Sequence, residues 1–229
     1  MKIPTSLLAL LALASTAFAE DKNLFNGKDL TGWKGLDFWS AQDGCIVGQT
    51  TKEKPTKGNT FLVWQGGEVG DFEFTFKYKI VGGNSGIQYR SKVVDEKSFV
   101  VAGYQADIDA GKTYSGILYE ERGRGILAQR GQKTVIKEGS SPKKPFTIEI
   151  GAPLGKSEDI QAKIKNEEWN EYRIVAQGGH LQHFINGVQT IDVTDETAVG
   201  AKKGVLALQL HAGPAMRVEF KDLILKETK

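Results

Sequence analysis

The chain has 229 residues, 40% hydrophobic and 25% charged, which gives it enough apolar material for one sizeable core and argues against disorder. Thirty Lys and Arg stand against 28 Asp and Glu, a net charge of +2 and so a near balance. Nucleic acid is therefore not expected as a partner.

In chain order, the first feature is an address. Lys2 precedes the apolar run Leu7 to Leu13, and Ala17-Phe18-Ala19 gives the small-x-small pattern of a signal-peptidase site. Residues 1–19 are expected to be a signal peptide, with Glu20 the mature start and residues 20–229 one domain. The cleavage point carries no cysteine for a lipid anchor, and no later segment reaches the ~18 apolar residues of a membrane span. A periplasmic or secreted protein without a membrane anchor is expected. The single cysteine, Cys45, adjoins Ile46 and Val47 and reads as a small buried hydrophobe.

Phe72 to Ile80 alternates apolar residues with Glu73, Lys77 and Lys79, the period of a half-buried strand. After Gly82-Gly83, Ser85 to Arg90 puts Ile87 and Tyr89 on one face and Gln88 and Arg90 on the other. Tyr104, Ala106 and Ile108 alternate with Gln105, Asp107 and Asp109. Ile117 to Glu120 and Phe146 to Ile150 read as further strands, and Ser157 to Lys165, with Ile160 and Ile164 at helical spacing, as one short helix. Tyr172 to Val175 begins another strand. Leu181 to Ile185, Asn186-Gly187 and Val188 to Val193 form a hairpin signature, because Asn-Gly tolerates the positive φ of a tight turn. Val205 to His211 and Met216 to Leu225 close the chain, with a slip of parity between Phe220 and Leu223 that predicts a bulge. Short strands separated by turn residues, with no repeated strand–helix alternation, predict an all-β sandwich of two antiparallel sheets.

One face of such a sheet meets the core. Opposite it, alternation places Gln88, Arg90, Gln105, Asp107, Glu120, Gln209 and His211. Amides, a guanidinium, carboxylates and an imidazole match the paired donors and acceptors of a sugar. An ordinary solvated face would also carry polar groups. The charge run from Glu120 to Arg124 reads either as a solvated loop or as the rim of a cleft, with Arg124 a further sugar contact. His183 reads as structural and His180 as a turn residue, and core packing is the default for Trp33, Trp39, Trp64 and Trp169. Phosphate-loop, zinc-protease, nucleophile-elbow and EF-hand patterns are missing. No cofactor is called for; a divalent metal and the oligomeric state are left open.

Several segments together resemble a known family. They are Leu24 to Trp33, Gly83 to Arg90, Gly103 to Asp107, Trp169 to Tyr172, His183 to Gly187 and Gly204 to His211, in order along nearly the whole chain. The set is similar to the 3-keto-disaccharide hydrolase domain, formerly the domain of unknown function 1080. The resemblance implies a concanavalin A-like jelly roll and action on glycosides oxidised at carbon 3. One departure is that many members carry Glu-x-Gln where this chain has Gln105-Ala106-Asp107. Elimination from a 3-keto-glycoside needs a base, donors for an enolate oxygen and an acid for the leaving group. Here His211 or Asp107 would be the base, Arg90 and Gln88 the donors, and Glu120 the acid. Ordinary glycoside hydrolysis would need two carboxylates, which Asp107 and Glu120 could supply. The alternative is a lectin-like module that binds glycan without catalysis.

Overall fold

The computed structural model describes residues 21–228, so the expected leader and its cleavage point lie outside the described residues. The first strands are β1 (Lys22–Asn23), β2 (Trp33–Lys34), β3 (Trp39–Gln42), β4 (Cys45–Thr50), β5 (Thr60–Trp64) and β6 (Phe72–Val81). There follow β7 (Asn84–Asp95), β8 (Val100–Asp109), β9 (Leu118–Glu121), β10 (Gly125–Ala128), β11 (Gln132–Ser141) and β12 (Lys144–Ile150). A short helix α1 (Ser157–Gln161) leads to β13 (Asn170–Gln177), β14 (His180–Ile185), β15 (Val188–Asp195), β16 (Val205–Leu210) and β17 (Met216–Glu227).

Two sheets form. Ten strands run in the order β12-β11-β15-β14-β13-β6-β17-β4-β3, with β1 added beside β17. Seven run β10-β9-β8-β7-β16-β5-β2. All pairs are antiparallel except β11 with β15. This is the expected jelly-roll sandwich.

The inner faces follow from alternation. Phe72, Phe74, Phe76 and Tyr78 of β6 are buried, as are Ile87 and Tyr89 of β7 and Leu208 and Leu210 of β16. Phe76 stacks on Tyr172 of the neighbouring strand, and Phe72 meets Tyr89 of the facing sheet edge-on at 5.9 Å. Glu73, Lys77 and Lys79 take the outer side, in line with their half-buried pattern. Cys45, Trp33 and Trp39 are buried, while Trp64 and Trp169 are only partly so. The helix ends four residues earlier than its pattern predicts, but Ile160 is buried and Ile164 packs on the core.

Two local irregularities were encoded in the sequence. Asn186 and Gly187 both take positive φ in the β14–β15 turn. In β17 the register shifts between Lys221 and Ile224, at Asp222 with φ +54°, which returns Leu223 and Leu225 to the core. A third shapes the site: β7 shifts register between Tyr89 and Lys92, and Arg90 takes φ +47°. The extra residue of that bulge swings Arg90 off the alternation of its strand.

Candidate active site

The outer face of the seven-stranded sheet carries the polar residues that alternate with its core residues. Gln88 lies across from Gln105, and Gln105 across from Tyr119. Gly86 lies between Asp107 on β8 and Gln209 on β16. A Cβ at Gly86 would stand 2.7 Å from the Gln105 side chain, so glycine is what lets these side chains close over the strand.

Gln88, Gln105, Asp107 and Gln209 are all buried, and their polar atoms are bonded to one another. Ser91 Oγ donates to Gln88 Oε1 at 2.9 Å, and Gln88 Nε2 donates to Gln105 Oε1 at 2.6 Å. Gln105 Nε2 donates to Asp107 Oδ1 and, at 3.4 Å, to Gln209 Oε1. Gln209 Nε2 then donates to Glu121 Oε2 at 3.1 Å, where Asn59 Nδ2 also arrives. Each amide passes its polarity on, and the chain of donors ends on two carboxylates, Asp107 and Glu121. A buried polar network held this way is rigid, because every reorientation breaks a bond.

Above this floor opens a cleft of about 440 Å³, lined by Asn59, Asn84, Gln105, Asp107, Tyr114, Tyr119, Glu121 and His211, among others. Burial pushes the Asp107 carboxyl up to about 7. The amides of Gln105 and Asn84 pull it down, and the charges of Asp109 and Glu121 push it further up. Burial, and then Glu121 and Asp107, raise the Tyr119 phenol, so it stays protonated at neutral pH. Asp109 also borders the cleft but is committed to its loop, accepting from the backbone of Gly111, Thr113 and Tyr114. His211 is exposed on the rim. Its Nδ1 lies 2.6 Å from the carbonyl of Ala212, which can only accept, so Nδ1 carries a proton and Nε2 is the acceptor in the neutral ring.

The structure thus brings together Gln88, Gln105, Asp107, Gln209 and His211. It does not bring Arg90, Glu120 or Arg124 into the cleft. Arg90 is buried, and its guanidinium binds the carbonyls of Gly70 and Gly178 and the carboxylate of Asp71. It ties loops together. Glu120 lies across from Tyr104, a core residue, so it takes the inward parity that Leu118 sets. There it is paired with Arg124, which also binds Asp195. Tyr119 and Glu121 are the outward residues of that strand; counting on from Leu118 would have found them. Asn59 and Asn84 sit at strand ends, where alternation carries no information.

His183 is structural, as its place in the hairpin suggested: it is buried between the hydroxyls of Tyr89 and Tyr172, and burial holds it down to about 3. His180 opens β14 and reaches Asp192 at 3.0 Å, so it belongs to a strand and not to a turn. Among the described residues no group of three or more His, Cys, Asp and Glu side chains is arranged to hold a metal ion, and no helix is long and apolar enough to cross a membrane.

The fold has solved relatives. A Parabacteroides distasonis ATCC 8503 protein provisionally described as a glycosyl hydrolase is 19% identical, with a TM-score of 0.57 over 91% of this chain and 94% of that one. The carbohydrate binding module CBM66 from Bacillus subtilis is 16% identical, with a TM-score of 0.55 over 86% and 96%. A non-specific endo-β-1,3(4)-glucanase of family GH16 is 11% identical, with a TM-score of 0.55 over 95% and 96%. At such identities the likeness is one of fold. No curated protein matches the chain. A family model does match, over residues 20–226, and the chain belongs to the 3-keto-α-glucoside-1,2-lyase-like domain family.

Proposed function

We propose that the protein cleaves 3-keto-glycosides by elimination, with Asp107 as the base. One observation carries the reading: a buried carboxyl, raised to about 7 and held in a single orientation by Gln105, lies at the bottom of an open polar cleft. A base poised near the working pH is what proton abstraction next to a ketone calls for.

In this mechanism the ketone at carbon 3 acidifies the hydrogen on carbon 2. Asp107 takes that proton, and the C–H electron pair becomes the enolate double bond. The protonated Tyr119 hydroxyl and the Asn84 amide are the nearby donors for the enolate oxygen. The enolate then collapses to the ketone, a double bond forms between carbons 1 and 2, and the bond from carbon 1 to the leaving oxygen breaks. His211 or Glu121, each acting in its protonated form, supplies the proton that the leaving oxygen takes up. Water added across the new double bond gives net hydrolysis. Gln88, Gln105 and Gln209 hold the two carboxylates in place and touch no reacting atom. Glu121 takes the part first expected of Glu120.

Lys2, the Leu7 to Leu13 run and Ala17-Phe18-Ala19 support a site of action in the periplasm or outside the cell.

The test is incubation with 3-keto-lactose and 3-keto-trehalose in D2O, followed by NMR. Elimination predicts release of the aglycone sugar together with deuterium at carbon 2. No release and no exchange with either compound would overturn the reading, and binding without turnover would point to a lectin-like module.

A further inference from the structure

Beside the cleft lies a second depression of about 690 Å³, at the start of β8 and the end of β9. Glu121 borders both hollows. Their charges are opposite. The cleft is lined by Asp107, Asp109 and Glu121 and by no Lys or Arg. The second depression is lined by six basic residues and three acidic ones.

Half of those basic residues have carboxylate partners. Arg90 is paired with Asp71, Arg124 with Glu120 and Asp195, and Lys203 with Glu68 at 3.0 Å. Lys92, Arg122 and Lys202 have no ion-pair partner among the described residues, and all three are exposed. Lys202 Nζ donates to the carbonyl of Asp195 at 3.3 Å, which leaves its charge unneutralised. The three come from different places. Lys92 follows the bulge of β7 and lies across from Ala102, Arg122 is in the β9–β10 turn, and Lys202 precedes β16. The floor between them is smooth, because Ala102 and Gly103 have little or no side chain. A Cβ on Gly103 would stand 2.5 Å from Ser91 Oγ, so this floor cannot be raised without moving the network below it.

An entirely neutral glycan needs no such set of cations without carboxylate partners, and a uniformly anionic one would be repelled by the three carboxylates of the cleft. The two hollows together fit a ligand with a neutral sugar at one end and a negative group at the other. We propose that the second depression binds an anionic substituent, a carboxylate or a sulfate, on the sugar unit joined to the one held at Asp107. The proposal rests on the reading of the Asp107 cleft as a sugar site. It makes Lys92, Arg122 and Lys202 determinants of specificity that stand apart from the chemistry.

Matched disaccharides test it. Each pair consists of a glucosyl-glucose and the glucosyl-glucuronate of the same linkage, both also prepared in the 3-keto form, and binding is followed by NMR titration of the whole chain at low salt. The wild type should bind the uronate member roughly tenfold more tightly, the summed worth of three exposed charge contacts. The preference should vanish at 0.5 M NaCl, where a charge is felt across only a few ångströms. The triple variant K92Q/R122Q/K202Q should bind both members equally and keep the wild-type affinity for the neutral one. Equal affinity of the wild type for the members of every pair, a preference that survives in the triple variant, or no measurable binding of any member would overturn the proposal. Turnover separates the two readings. If the proposed elimination fails, no 3-keto compound is cleaved, yet the uronate preference persists. If only the anionic site fails, the neutral and acidic 3-keto compounds are cleaved alike.

Discussion

Gln105 donates to Asp107 with the same Nε2 that leans toward Gln209, while its carbonyl oxygen is held at 2.6 Å by Gln88. An amide cannot flip when both its ends are engaged, so Asp107 Oδ1 faces the N–H of Gln105 and not its carbonyl. Asp107→Asn therefore removes a base while keeping the shape of the site. Turnover of a 3-keto-glycoside should fall roughly 10²–10⁴-fold. In the wild type, kcat/KM should rise with pH up to about 7, as Asp107 loses its proton. Stopped assays across pH 5–9 check both. A variant with wild-type turnover would remove Asp107 from the chemistry.

The same carboxyl affects stability, and His183 opposes it. Asp107 is raised from 3.8 to about 7 on folding, so between those values the folded chain holds a proton that the unfolded chain has lost, and stability falls as pH rises. His183 is lowered from 6.5 to about 3, so between those values the unfolded chain holds the extra proton, and stability rises with pH. From about pH 4 to 6.5 the two slopes cancel. Asp107→Asn removes one of them. The variant should then gain about 1.4 kcal/mol per pH unit relative to the wild type across that window, and it should melt higher than the wild type at pH 8. Urea unfolding at half-unit pH steps reads this directly. Parallel curves for the two proteins would show that Asp107 titrates normally.

Glu120 and Glu121 are neighbours in sequence and should behave as opposites. Glu120 is paired with Arg124 at 2.7 Å, where both side chains are largely shielded. Glu120→Gln should cost about 1–3 kcal/mol of stability by leaving part of the guanidinium without its partner, with little change in KM for a 3-keto-glycoside. Glu121→Gln keeps a group able to accept from Asn59 and Gln209, so folding should hold, while turnover drops. Melting curves and kinetics on the two single variants decide the assignment. The reverse pattern would return the cleft role to Glu120.

How much of this was legible in the sequence depends on backbone regularity. Where alternation ran unbroken, as over Phe72 to Ile80 and Tyr104 to Asp109, both the strand and its facing were readable, and Gln105 and Asp107 fell on the site face. Arg90 was misplaced because a single bulge residue reverses parity and no glycine or proline marks it. Glu120 was misplaced for a different reason: the acid pair 120–121 offers the same chemistry at both parities, and only the anchor at Leu118 separates them. Asn59, just before β5, reaches the cleft through the pairing of β5 with β16, a contact between segments about 150 residues apart that no local pattern encodes.

The His211 ring makes no bond to the side chains of the network below. The Ala212 carbonyl fixes its Nδ1 proton, and the Ala212 N–H is in turn held by Asn59 Oδ1 at 3.0 Å, so the rim turn presents the ring in one tautomer. The side chain is exposed and packs on nothing in the core, so His211→Ala should leave the melting temperature within about 2 °C of the wild type. Protonated on Nε2, it is placed to give a proton to the leaving oxygen. A poor leaving group then needs it and a good one does not. His211→Ala should slow a 3-keto-glycoside of an ordinary sugar alcohol roughly 10²-fold or more, and slow the matching 3-keto-nitrophenyl glycoside far less, because nitrophenolate departs without a proton. Equal losses on both substrates would instead make His211 a binding contact, and no loss on either would leave proton donation to Glu121.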